Sequence, residues 1–117
     1  MGRPIVHFEI IGKDAVRLQK FYAEAFDWKV SPPSGPEMGF YGMVDGASSG
    51  MAGGIGQGRD GTTRVSVYVE VPDVQAALDR IASLGGRVLM GPMQIPGGPT
   101  IAMFADPDGN VNGLMQG

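Results

Sequence analysis

The residues of this chain that could carry chemistry begin with its single histidine, His7. Imidazole is the side chain that exchanges a proton most readily near neutral pH. Glu9 lies two positions further along a predicted strand, so its carboxylate is expected on the same face as His7. The pair could act as a general base or could hold a polar group of a ligand. It could equally be an inert hydrogen-bonded pair, and both interpretations stay open at this point.

The composition excludes several other classes of site. The 117 residues include no cysteine, which excludes zinc fingers, iron–sulfur clusters and thiol catalysis. A net charge of −3 with only 18% charged residues provides no basic surface for nucleic acid. No apolar run reaches the roughly 18 residues of a membrane span, and the N-terminal residues do not resemble a secretory signal. We therefore expect a cytoplasmic protein with no nucleic-acid or membrane partner.

Two further motifs are interpreted as structural. The glycine-rich segment at residues 51–58 is not followed by a helical pattern, as a phosphate-binding loop would require. Residues 106–109, with the sequence DPDG, lack the remaining ligands of a calcium loop and predict a type I turn.

Two amphipathic helices are predicted to support the strands that carry His7 and Glu9. Apolar residues recur at helical spacing after Asp14 and again after Asp73, and each aspartate is a good N-cap. Pro72 prevents the second helix from starting earlier, and Gly85 and Gly86 end it.

Alternating residues predict the strands. In residues 64–71 the valines face one way, whereas Ser66, Tyr68 and Glu70 face the other. Residues 4–11 alternate similarly, with His7 and Glu9 on one face. Further strands are predicted at 28–31, 39–45, 50–56, 87–91, 99–105 and 110–115.

The order strand, helix, three strands occurs twice. Asp14 and Asp73 are 59 residues apart, and the same shift superimposes the helices and places Gly54 on Gly113. We therefore predict an α+β fold in which two βαβββ modules, at about 1–58 and 62–117 of a single domain, form one cupped, mixed sheet. The helices would cover the convex face. The residues expected to line the cup are His7, Glu9, Ser66, Tyr68 and Glu70.

The ordered motifs resemble the superfamily of glyoxalase I, bleomycin-resistance proteins and extradiol dioxygenases, also called the vicinal oxygen chelate superfamily. The motifs that carry the resemblance lie at residues 7–14, 21–22, 26–28, 69–73 and 84–86 and at FADPDGN, residues 104–110. This resemblance implies paired βαβββ modules, usually in a homodimer, and a small-molecule site in the cupped sheet.

The resemblance also implies four metal-ligand positions, which in metal-dependent members are typically His or Glu. The first position falls on His7 and its partner on Ser66, while the other two fall on or near Gly54 and on Gly113. Only His7 keeps a ligating side chain, because a neutral hydroxyl binds metals weakly and glycine has no side chain. No cofactor is therefore expected, and a divalent metal is disfavoured.

The predicted function is metal-free binding of a small hydrophobic or aromatic molecule in the cup, by a homodimer. Eight methionines are many for this length, and thioethers adapt to irregular apolar ligands, although they also fill cores. The alternative is an enzyme of the same superfamily, a lyase, isomerase or dioxygenase, which uses a metal or a His7 or Glu9 base. The predicted ligand-binding residues are His7, Glu9, Trp28, Phe40, Ser66, Tyr68 and Met103, with His7 and Glu9 as the candidate catalytic residues.

Overall fold

The computed structural model describes residues 2–117, which divide into two compact units. One unit covers His7–Val65, and the other joins Ser66–Gly117 to the residues that precede His7. The sequence predicts modules at about 1–58 and 62–117, so the division differs at the start of the chain. The backbone N–H of Glu70 donates to the carbonyl of Pro4 at 2.9 Å, and this bond ties the first residues to the second unit.

The unit His7–Val65 contains a small mixed sheet with a helix on one face. Its elements are β1 (Ile5–Gly12, which begins in the other unit), α1 (Ala15–Phe26), β2 (Gly42–Val44), α2 (Gly46–Ser49) and β3 (Gly53–Gln57). Strand β3 pairs in parallel with β1 and antiparallel with β2. Ile10, Val44 and Ile55 form the buried core, against which Leu18 and Tyr22 of α1 pack.

The unit that contains Ser66–Gly117 repeats this plan with longer strands. Its elements are β4 (Arg64–Val71, which begins in the other unit), α3 (Val74–Ser83), β5 (Arg87–Gln94), β6 (Thr100–Ala105) and β7 (Val111–Gln116). Strand β7 pairs in parallel with β4 and antiparallel with β6, which pairs antiparallel with β5. Val74 and Leu78 of α3 pack on Ala102 and Leu114, so α3 covers one face of this sheet.

The predicted N-caps of both long helices are confirmed. The carboxylate of Asp14 accepts from the backbone N–H of Arg17 at 3.1 Å, and that of Asp73 accepts from Ala76 at 3.0 Å. A second cap was not anticipated from the sequence. The side-chain carbonyls of Gln57 and Gln116, also 59 residues apart, accept from the first N–H of α1 and of α3, each at 3.1 Å.

Two predicted elements of the first unit are wrong. The strand expected at 28–31 is reduced to a single bridge between Val30 and Val44. Asp27 adopts a left-handed conformation (φ 57°) before it and two prolines follow it, so the segment cannot extend its pairing. The strand expected at 39–45 is wrong at both ends, since β2 covers only Gly42–Val44. Asp45 instead starts the short helix α2, because its carboxylate caps the N–H of Ala47 at 3.1 Å.

The α+β class is confirmed, with a mixed sheet and a covering helix in each unit. Among residues 2–117, no helix has the length and apolar character needed to cross a membrane.

Candidate functional site

Four polar residues of the unit His7–Val65 form a hydrogen-bonded group, here called the polar cluster: His7, Glu9, Tyr41 and Arg64. Glu9 lies at its centre and is only 7% exposed. Its Oε1 pairs with Nη2 of Arg64 at 2.7 Å, and its Oε2 accepts from the Tyr41 hydroxyl at 2.8 Å. Nε2 of His7 lies 3.0 Å from the same hydroxyl oxygen. The cluster therefore satisfies both oxygens of a buried carboxylate.

The direction of these bonds defines the state of His7. Since the Tyr41 hydroxyl donates its hydrogen bond to Glu9, the hydroxyl oxygen accepts a hydrogen bond from Nε2–H of His7. Burial lowers the pKa of His7, and the negative charge of Glu9 opposes this only in part. The imidazole is therefore neutral near pH 7, with Nε2–H as donor.

Tyr41 and Arg64 are the members of this cluster that sequence analysis missed as site residues. Gly39 and Phe40 both have positive φ angles (65° and 51°), and the Tyr41 N–H donates to Oγ of Ser34 at 2.8 Å. This tight turn directs the Tyr41 ring over Gly54, where a Cβ atom would overlap the ring. The only signal in the sequence is the glycine itself, since nothing in its spacing from Tyr41 predicts the contact.

The unit that contains Ser66–Gly117 has a different surface on the face of its sheet opposite α3. Register places Tyr68, Gly113 and Met103 side by side, with Met90 beyond Met103. A second row continues through Met115, Ile101 and Met93. We call this surface the methionine face, and it comprises Tyr68, Met90, Met93, Ile101, Met103 and Met115.

The methionine face is not closed, and the partly exposed Glu70 borders its apolar side chains as the register partner of Met115. Met93 is 45% exposed, and Met90, Ile101, Met103 and Met115 are partly exposed. Tyr68 is 4% exposed because its ring lies over Gly113, where a Cβ atom would overlap it. Flexible thioethers therefore surround one fixed aromatic ring.

The structure brings only some of the predicted site residues together. His7 and Glu9 meet in the polar cluster, and Tyr68 and Met103 meet on the methionine face. Ser66 is buried, and its hydroxyl donates to the carbonyl of Val111 at 2.6 Å.

Trp28 and Phe40 lie apart from the polar cluster. The Trp28 ring stacks on Tyr22 of α1 at 5.3 Å and contacts Phe8 at 5.4 Å. Phe8 alternates with His7 and Glu9 along β1, so Trp28 lies on the helix side of the sheet. Phe40 is half-buried, and its carbonyl accepts from Nε2 of Gln19 at 2.8 Å.

The residues present do not fit the four-ligand metal site that the resemblance implies. Gly54 and Gly113 supply no donor atom, and tyrosine rings occupy the space that a side chain there would need. Within residues 2–117, no three His, Cys, Asp or Glu side chains are grouped so as to hold a metal ion.

Comparison with curated proteins finds relatives longer than this chain. The anthracycline biosynthesis protein DnrV of Streptomyces peucetius is 27% identical over 130 aligned residues, which cover 94% of this chain and 47% of that protein. The chain therefore spans about half the length of the curated relatives it matches.

Solved structures share the fold at low identity. A hypothetical protein from Bacillus halodurans C-125 has a TM-score of 0.75 at 10% identity, covering 100% of this chain and 96% of that one. The methylmalonyl-CoA epimerase of Mycobacterium tuberculosis has a TM-score of 0.70 at 14% identity, with 96% and 86% covered. The sequence profile of one superfamily matches residues 4–114. The chain belongs to the Glyoxalase/Bleomycin resistance protein/Dioxygenase superfamily.

Proposed function

We propose that this protein binds a small hydrophobic or aromatic organic molecule on the methionine face, without a metal. The observation that carries the proposal is the row of partly exposed methionines beside the Tyr68 ring. Thioether side chains adjust to irregular apolar shapes and make favourable contacts with aromatic rings. Exposed apolar surface grouped on one face is typical of a binding site rather than of ordinary protein surface.

The similarity to an anthracycline biosynthesis protein supports the choice of ligand class. Anthracyclines are polycyclic aromatic compounds, and a flat ring system suits a surface of methionines with one tyrosine. Since this chain covers 47% of that relative, the relative supports a chemical class and not a specific compound.

Binding is tested directly with doxorubicin, a soluble fluorescent anthracycline. Met103→Gln and Met90→Gln keep the side-chain length but make the face polar. Each is expected to weaken binding about tenfold, which corresponds to about 1.4 kcal/mol. Met51→Gln is the matched control, because Met51 is 36% exposed in the other unit. Absence of saturable binding, or equal losses in Met103→Gln and Met51→Gln, would overturn the proposal.

The metal-free part of the proposal rests on Gly54 and Gly113 under their tyrosine rings. Elemental analysis of protein purified without a histidine tag tests it. We expect less than stoichiometric Zn, Ni, Fe or Mn, and one tightly held ion per chain would contradict the proposal.

We further propose that the protein works as a homodimer. Strand β5 pairs only with β6 in its unit, and its residues Val88 and Leu89 are 43% and 44% exposed. An exposed apolar edge strand usually requires a cover. Light scattering coupled to gel filtration is expected to give twice the chain mass, and a concentration-independent monomer would contradict this.

A second candidate function is metal-free proton abstraction by His7. The lowered pKa of His7 favours it, because a neutral imidazole keeps one nitrogen without a proton, and that nitrogen can act as a base. The test is deuterium incorporation into doxorubicin at carbon, measured by mass spectrometry after incubation in D₂O. Incorporation that is lost in His7→Ala and in Glu9→Gln supports catalysis, and no incorporation with the unmodified protein removes this candidate for that ligand.

A further inference from the structure

A groove in the unit His7–Val65 shares only Arg64 with the polar cluster and has no residue of the methionine face in its lining. It consists of two neighbouring cavities of about 330 and 390 Å³. Both cavities are lined by Lys13, Arg17 and Leu18, so the two cavities adjoin at these side chains. We call this the cationic groove. Its volumes fall in the range of small-molecule sites.

The charge of the groove is positive in a chain whose net charge is −3. Lys13 and Arg17 are exposed, and in the described part of the chain neither forms a salt bridge. Arg64 also lines the groove, but Glu9 pairs with it. The one carboxylate at the rim belongs to Asp14, and it accepts the backbone N–H of Arg17 as a helix cap. Three cations therefore stand against the carboxylates of Asp14 and Glu9, which leaves the groove with a net positive charge carried by Lys13 and Arg17.

The walls beside these cations are apolar. Phe21 lines one cavity and is 58% exposed, and Val65 lines the other and is 73% exposed. Ile10 and Ile11 complete the second cavity. Exposed side chains of this size gain free energy when a ligand covers them. A simple inorganic anion would leave them uncovered, whereas a neutral apolar molecule would leave the cations unused.

We propose that the cationic groove binds a small organic anion with an apolar body, such as an aromatic carboxylate. The anionic group lies between Lys13 and Arg17, and the apolar body covers Leu18 together with Phe21 or Val65. The lining of this site contains no residue of the methionine face.

The test is a calorimetric titration with 2-naphthoate and with its neutral analogue 2-naphthamide. We expect 2-naphthoate to bind at least tenfold more tightly than 2-naphthamide, and this advantage to shrink as salt is added. The double variant Lys13→Gln/Arg17→Gln is expected to lose at least tenfold in affinity for 2-naphthoate. Lys20→Gln is the matched control, since Lys20 is an exposed cation of the same helix that does not line the groove.

Met103→Gln separates this proposal from binding on the methionine face. It is expected to leave the preference for 2-naphthoate over 2-naphthamide unchanged, because that preference comes from Lys13 and Arg17. Loss of this preference in Met103→Gln, equal affinity of the unmodified protein for the acid and the amide, or unchanged affinity for 2-naphthoate in the double variant would each overturn the cationic-groove proposal. None of these results bears on doxorubicin binding.

Discussion

The polar cluster and the methionine face occupy equivalent positions of the repeat but differ in chemical character. Glu9 and Tyr68 are 59 residues apart, as are Gly54 and Gly113. Gly54 is the register partner of Glu9, and Gly113 is the register partner of Tyr68. In the first unit Glu9 is paired with Arg64, and Tyr41 covers Gly54. In the second unit Tyr68 covers Gly113 itself, and methionines surround it.

The same arrangement of strands therefore carries a fully paired polar cluster in one unit and a partly exposed apolar surface in the other. A buried carboxylate requires partners for both oxygens, so Glu9 commits Tyr41 and Arg64 to fixed positions. Methionines require no polar partner and can stay partly exposed and mobile. The first unit is therefore organised by charge pairing, while the second keeps an adaptable apolar surface.

The largest expected effect comes from Gly54→Ala, which places a Cβ inside the Tyr41 ring. Moving that ring also breaks its hydrogen bond to Glu9, so we expect a loss of about 3 kcal/mol in unfolding free energy. Gly113→Ala displaces the Tyr68 ring, which packs on Gly113, and is expected to cost about 2 kcal/mol from this packing alone. Urea denaturation measures both. A loss below about 0.5 kcal/mol in either variant would contradict the close packing of the tyrosine ring on its glycine.

Removing the partner of Glu9 is expected to cost somewhat less. Arg64→Leu leaves the carboxylate with Tyr41 as its remaining partner within the polar cluster. Because the Arg64 side chain is 30% exposed, we expect about 2 kcal/mol rather than the loss typical of a fully buried pair.

The control for Arg64→Leu is the double variant Arg64→Leu/Glu9→Gln, which removes the unpaired charge. Denaturant midpoints are expected to recover part of the loss. A double variant that is less stable than Arg64→Leu alone would show that Glu9 is not stabilised mainly by Arg64.

The fold was predictable from local patterns, whereas much of the site was not. Asp14 and Asp73 mark their helices because a cap acts on the next few backbone groups, which are adjacent in the sequence. The contact of Tyr41 with Gly54 is long-range and depends on the positive φ angles of Gly39 and Phe40. A bulky residue such as Phe40 rarely adopts this conformation, so periodicity does not indicate it.

The placement of Trp28 shows the same limit. Its residue type is suitable for a ligand site, but the failure of the predicted 28–31 strand leaves it packed on Tyr22 and Phe8. In contrast, strand alternation was sufficient to put His7 and Glu9 on one face of β1, and Tyr68 on the face of β4 opposite Val69 and Val71.

The helix caps provide a comparison in which the two units should behave alike. Gln57→Ala and Gln116→Ala each remove one acceptor from the first N–H of a helix. We expect each to lower the free energy of unfolding by about 1 kcal/mol. A loss in one variant but not in the other would show that the repeat is not energetically equivalent at these caps.

The smallest expected effect is the contribution of His7 to the pH dependence of the free energy of unfolding. Its folded-state pKa lies below the ordinary value of about 6.5, chiefly because of burial. The unfolded chain then takes up a proton first as pH falls. The contribution of His7 is therefore present above pH 6.5 and is lost as pH falls towards its folded-state pKa. Denaturation of the unmodified protein and of His7→Asn at pH 7.5 and 5.0 measures it, and an identical pH dependence would contradict the assignment.

We propose that the ligand binds on the methionine face and not at the polar cluster. Methionine-methyl NMR during a doxorubicin titration tests this most directly, because the chain carries methionines in both units. We predict shifts for Met90, Met93, Met103 and Met115, while Met38, Met43 and Met51 of the other unit stay unchanged. Shifts at Met43, which faces the same way as Glu9 in the register of β2 and β3, with none at the four methionines of the face, would contradict the account.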